Sequence, residues 1–172
     1  MMSNQLEMVS PILSTTAARW SNLTGIVPVE LLVRTPAPGE WSAMDCLCHL
    51  LDTEQWVFPS RVKALLSGKN FVAFDPEIQG TRYTTQHPEQ LAEEFAKLRK
   101  ASLIELDQVT IQDFSRTAQH SELGTVTLGE LLNEWAAHDL MHTVQAERAV
   151  MQLFILGSGP WRPYFQDHDV SK

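Results

Sequence analysis

Four long stretches of this chain repeat their apolar residues at helical spacing, and that repetition constrains the fold more than any other feature. The first, over 5–23, places Leu6, Val9, Leu13, Ala17 and Trp20 near one face, with Pro11 near its start. The second follows a loop punctuated by Pro36, Pro38 and Gly39, and opens on Ser42 with Asp45 three residues on, a capping-box pattern. It is expected to run to Leu66 and stop at Gly68, kinked at Pro59, where one backbone bond is lost. The third, over 88–109, begins on Pro88, a residue suited to the first helical position, and carries Leu91, Phe95, Leu98, Ser102 and Leu106 as its stripe. The fourth, over 127–153, has the clearest start, a Thr127/Glu130 capping box after Gly124. Strand signals are weak throughout. The reading is all-α, a four-helix bundle with two long loops, 69–87 and 110–126.

A chain of 172 residues is one domain, 1–172, and long enough to bury a core without disulfides. Its balance of 13 Lys+Arg against 21 Asp+Glu, a net charge of −8, opposes nucleic-acid binding. The longest strongly apolar run, 150–156, is far short of the ~20 residues that span a bilayer, so no membrane role is expected. With no basic leader before the first apolar run, a cytoplasmic location is expected. Cys46 and Cys48, one residue apart, point to nearly opposite helix faces and so remain reduced thiols.

His138 and His142 stand one turn apart on an inward stripe with Leu131, Trp135, Gln145 and Ala149. Two imidazoles there need partners, either a shared divalent metal or separate hydrogen bonds. His49, within the apolar run Cys46-Leu47-Cys48-His49-Leu50-Leu51, reads alone as a core histidine. It gains weight because facing helices of a bundle converge ligands on a core site. Three histidines with no fourth protein ligand describe an open, catalytic type of site. His87, His120 and His168 fall in loops or tail and read as surface residues.

The stretch 138–142 also resembles a zincin motif with Asp139 in place of the glutamate, but the shorter side chain and the lack of a third downstream ligand argue against a protease. Asp45 and Glu134, each four residues before a histidine, and Asp139 are candidates to hold a ligand's free N–H. Cys46, three before His49, is a weaker ligand candidate; Trp41, Trp56 and Trp135 read as core or pocket lining, and Arg61 and Arg148 as surface ion pairs or anion contacts. Glu54 lies off the face of His49 by about 140°.

Two blocks carry a resemblance. Pro36-Ala37-Pro38-Gly39-Glu40-Trp41-Ser42, followed by Cys48-His49-Leu50-Leu51-Asp52-Thr53-Glu54, resembles the second-helix signature of the DinB/YfiT-like family. The segment from His120 to Leu128, then Trp135-Ala136-Ala137-His138-Asp139-Leu140-Met141-His142 and Gln145, is similar to that family's second block. The resemblance spans 5–155 and implies an up-down-down-up four-helix bundle with one divalent metal ion, zinc, nickel or similar, on His49, His138 and His142. It also implies either a transferase acting with a low-molecular-weight thiol cosubstrate such as bacillithiol or mycothiol, or a metal-dependent hydrolase. Since no residue supplies a plain general base, thiol S-transfer to a small-molecule substrate is the leading expectation. Metal-activated water, or a non-catalytic metal- or ligand-binding bundle, are the alternatives. A homodimer is expected from the resemblance and from the aromatic tail Trp161, Tyr164 and Phe165.

Overall fold

The computed structural model describes residues 5–75 and 87–170. The part of the 69–87 loop at 76–86 lies outside the described residues. Helix α1 spans Gln5–Ile26 and a short helix, α2, spans Val29–Leu32. Next come α3 (Ala43–Trp56), α4 (Phe58–Leu66) and α5 (Pro88–Leu106). A 3-10 turn at Ile111–Ser115 leads into strands β1 (Thr117–His120) and β2 (Gly124–Thr127), and α6 (Leu128–Gly157) completes the bundle. Helix α1 packs chiefly on α5 and α6, and α3 packs on the same two, so the first two long helices lie across the bundle from one another. This is the four-helix bundle read from the sequence.

Both expected capping boxes are formed. At α3 the Ser42 hydroxyl and N–H donate to the Asp45 carboxylate at 2.6 and 2.9 Å, and the Asp45 N–H donates back to Ser42 Oγ at 3.1 Å. At α6 the Thr127 N–H donates to Glu130 at 2.7 Å, and the Glu130 N–H donates to Thr127 Oγ1 at 3.1 Å. These interactions satisfy amides that the first helical turn leaves without partners. The helix 42–66, expected as one kinked rod, is instead two. The chain breaks at Val57 (φ −109°, ψ −76°), just before Pro59 enters the first turn of α4. Proline removes a donor and fits best at a helix start, so the sequence begins a new helix there rather than bending the old one.

The loop 110–126, expected without strands, holds the β1–β2 hairpin, with Thr117 opposite Thr127 and His120 opposite Gly124. Residues 121–123 connect the strands, and β2 opens on Gly124 at φ +75°, a left-handed conformation that glycine adopts without a Cβ clash. His120 is not a surface residue: it is 7% exposed, and its Nδ1 accepts the Glu122 and Leu123 N–H groups at 3.1 and 3.3 Å. The ring takes the place of a missing Asn-Gly turn by holding the turn's amides itself. Phe71 extends this small sheet, its N–H donating to the Gln119 carbonyl at 3.1 Å.

The core divides along the bundle. One cluster gathers Val9, Leu13, Phe58, Val62, Leu65, Leu128, Leu132 and Trp135; the other gathers Trp20, Leu32, Cys46, Leu47, Leu50, Leu51, Leu91 and Phe95. Between α3, α5 and α6 lies a buried ion cluster. Arg99 Nε and Nη2 donate to Glu54 Oε2 at 3.0 and 2.8 Å, Nη2 donates to Asp139 Oδ1 at 3.2 Å, and Nη1 donates both to Asp139 Oδ2 and to the Leu13 carbonyl of α1 at 2.8 Å. The Ser102 hydroxyl donates to the other Glu54 oxygen at 2.6 Å. Burial works against the Arg99 charge, yet Asp139 and Glu54 outweigh it and raise its pKa. Among the described residues, no helix is long and apolar enough to cross a membrane.

Candidate metal centre

His49 comes from the middle of α3, and His138 and His142 from successive turns of α6, which packs against α3. One ligand atom of each imidazole lies within 4.8 Å of those of the other two. His49 Nε2 and His138 Nε2 are 3.0 Å apart, so between neutral rings one donates and the other accepts. His142 is buried, while His49 and His138 are half-buried, so the cluster stands at the edge of the core and not at its centre.

The rings are fixed by their neighbours. His142 Nδ1 donates to Gln145 Oε1 at 2.9 Å, which leaves Nε2 as its lone-pair atom. Trp41 stacks on His142 at 5.5 Å between centroids and meets His49 edge-on at 5.2 Å. Phe58 stands edge-on to His138 at 5.1 Å, and Phe74 edge-on to His49 at 6.4 Å. This aromatic collar desolvates the imidazoles. Burial, then the neighbouring His142, pushes His49 down to about 4. Burial, followed by His142, His49 and Arg99, pushes His138 down to about 3. His142 is also lowered by burial, partly offset by the Gln145 hydrogen bond and Asp139. Near neutral pH all three rings are therefore uncharged, and a cation that replaced the His49–His138 hydrogen bond would meet a lone pair on each.

The donor set suits a divalent ion. Three convergent neutral imidazoles with, among the described residues, no converging carboxylate or thiol are the ligand set of an open site for a borderline metal such as zinc or nickel. His138 Nδ1 is buried without a hydrogen-bond partner, so an interaction at Nε2 is what remains to that ring. Cys46 is not among the converging groups; it packs in the core, where burial pushes its thiol up to about 12. Cys48 is likewise free, its thiol pushed up to about 12 by burial.

The three residues expected to hold a ligand's free N–H have other engagements. Asp45 closes the α3 cap, and Asp139 is bound to Arg99. Glu134 faces Arg61 electrostatically; burial raises its carboxyl and Arg61 lowers it. The partner of His142 is Gln145, which the sequence places on the same stripe but which, as a neutral amide, draws no attention beside three candidate acids. Glu54, off the His49 face as its spacing requires, is buried against Arg99. Of the remaining histidines, His87 stands exposed at the N-cap position of α5 without a side-chain cap bond, and His168 is exposed in the tail. Arg148 donates to the His168 carbonyl at 3.0 Å and forms no ion pair among the described residues.

A helical bundle with an edge-of-core three-histidine cluster thus defines the class. The family model of the DinB superfamily matches residues 12–146, and the chain belongs to that superfamily. The solved structure of YfiT from Bacillus subtilis, described as a probable metal-dependent hydrolase with an unusual four-helix bundle topology, is similar to this chain with a TM-score of 0.77. The two are 17% identical, over 89% of this chain and 90% of that one, a likeness of fold. No curated protein matches the chain.

Proposed function

We propose that this chain is a divalent-metal-dependent enzyme in which His49, His138 and His142 hold one zinc, nickel or similar ion, and that it joins a low-molecular-weight thiol, through its sulfur, to an electrophilic small molecule. The observation that carries the reading is the convergence of three uncharged imidazoles at one partly open point. An ion bound there supplies Lewis acidity, lowering the pKa of a thiol or water in its open position. The chain's own part is positioning: Gln145 aims His142, and Trp41, Phe58 and Phe74 keep water off the flanks of the rings.

Thiol transfer is supported by where the acids lie. Glu54 and Asp139 are bound to Arg99 and Asp45 is bound in a cap, so none of them is free to take a proton from water. A thiol needs less help, because its acidity is already close to neutral. In the transfer, a sulfur–carbon bond forms as the bond from carbon to a leaving halide breaks, and the thiol proton passes to solvent. A second reading, hydrolysis by activated water, is supported by Glu134. It lies one turn before His138, and burial raises its carboxyl in the direction a general base requires. The description of YfiT as a probable metal-dependent hydrolase points the same way. We place the enzyme in the cytoplasm, as a homodimer.

Elemental analysis of the purified protein should find one divalent ion per chain. His49→Ala, His138→Ala and His142→Ala should each lose most of it while keeping their helical circular dichroism. Full metal retention by His49→Ala removes the three-ligand site. The zinc form is then titrated with bacillithiol, mycothiol, glutathione and cysteine in the presence of a halogenated aromatic. Metal-dependent conjugation with one of them is the expected result. Metal-dependent ester or amide hydrolysis with no thiol binding replaces transfer by hydrolysis. Neither activity leaves a non-catalytic metal-binding bundle.

A further inference from the structure

One aromatic ring away from His49 runs a groove of about 300 Å³ whose walls include Trp56, Arg61, Asn70, Phe71 and Phe74. Phe74 belongs to both places, since its ring also stands edge-on to His49. The groove and the histidine cluster therefore share a wall. Arg61 is the unusual member. Its guanidinium lies over Phe71 at 5.3 Å, and its hydrogen bond, from Nη2 to the Val72 carbonyl, is long at 3.4 Å. Arg99, Arg116 and Arg162 each hold a carboxylate at 2.9 Å or closer. Arg61 forms no ion pair among the described residues; Glu134 and Glu122 act on it only at longer range. Burial lowers its pKa by more than Glu134 and Glu122 raise it, so its charge is only partly compensated.

A second donor stands in the same groove. Asn70 Oδ1 accepts the Gln119 N–H at 3.1 Å, which assigns the amide and leaves its Nδ2 hydrogens without a partner among the described residues. A planar fork and an amide donor at the polar end, with aromatic rings along the walls, make a receptor for a carboxylate on an apolar stem. Glu134 and Glu122 oppose any further negative charge, which disfavours a phosphate dianion relative to a carboxylate monoanion. We infer that this groove is a subsite for the carboxylate of an aryl- or alkyl-carboxylate substrate, which Arg61 and Asn70 anchor while Phe71 and Phe74 line its path toward the three histidines. That the subsite serves catalysis rests on the metal-enzyme reading; that it binds a carboxylate does not, because the groove is formed by the protein alone.

The test uses 3-phenylpropanoate, its neutral amide 3-phenylpropanamide, and phenyl phosphate, titrated calorimetrically into both zinc-loaded and metal-free protein. The carboxylate should bind at least tenfold more tightly than either comparator in both forms, a margin of ~1.4 kcal/mol. Arg61→Gln should abolish the preference at unchanged zinc content. If zinc is not taken up, the metal reading fails while the preference in the metal-free protein still stands. If Arg61→Gln keeps the preference, or if it appears only with zinc, the carboxylate sits on the metal and the inference is overturned. Equal binding of all three probes, or no binding of the carboxylate at about 10 mM, overturns it as well. Should Arg61→Gln fail to fold, phenylglyoxal labelling of Arg61 in the unaltered protein decides the same question. The carboxylate should slow that labelling several-fold and the amide should not; equal labelling rates overturn the inference.

Discussion

Three imidazoles packed this closely are stable together only while uncharged. In the metal-free protein His49 is held near 4 and His138 near 3 by burial and by one another, whereas in the unfolded chain both return to the ordinary 6.5. Unfolding therefore takes up protons between those limits, and the unfolded state binds more of them. The contribution is fully present above pH 6.5, is lost as pH falls through the window, and stops changing below the folded values. Urea midpoints of metal-free protein should thus fall from pH 7 to about 5, above the range where ordinary carboxylates titrate, with the raised Glu134 carboxyl opposing the trend. A flat or rising profile over that interval would mean that the rings are not held neutral. His138→Leu, which removes the most strongly shifted ring, should flatten the profile in part.

At the level of elements, Arg99 ties four helices together: its own α5, α3 through Glu54, α6 through Asp139, and α1 through the Leu13 carbonyl. Taking one partner from such a cluster leaves a buried charge uncompensated. Arg99→Met is therefore expected to cost about 3–5 kcal/mol, read as a fall in urea midpoint at unchanged slope. Replacing Arg99, Glu54 and Asp139 together by apolar residues of matching volume should cost less than Arg99→Met alone. This cluster was only half legible in the sequence. Helical spacing sets Arg99 on the stripe of Phe95 and Ser102, but no expectation from the sequence singled it out, and which acids it meets depends on how α3 and α6 pack. The histidines were more legible, because helical spacing puts His138 and His142 on one face whatever the packing, and the family motif supplied His49. Capping boxes at Ser42 and Thr127 marked two helix starts directly. The hairpin was hidden for a local reason: His120, rather than a turn dipeptide, satisfies its amides, and nothing in a lone histidine announces that role.

Across the whole molecule, apolar surface is distributed unevenly. Met141 and Val144 on α6, then Phe154 and Leu156 near its end, are exposed, and the 3-10 segment Gly159–Phe165 adds Trp161 and Tyr164, the latter 83% exposed. The tail is tied down by polar contacts instead: Gln152 Nε2 donates to the His168 carbonyl at 2.9 Å, and Arg162 pairs with Asp169 at 2.8 Å. Its aromatic rings are thus held outward, where the proposed homodimer would cover them. Sedimentation should find a dimer at tens of micromolar, and Trp161→Ser with Tyr164→Ser should weaken it. A monomer at that concentration would count against the assembly.

The indole of Trp41, face-on to one ring of the cluster and edge-on to another, makes the centre its own optical gauge. Whatever occupies the histidines sits within a few ångströms of a fluorophore that is partly open to solvent. A paramagnetic ion such as nickel should darken its emission, while closed-shell zinc should mainly shift it. Loading, exchange and release of the ion could then be followed in real time without a label, with Trp41→Phe as the blank.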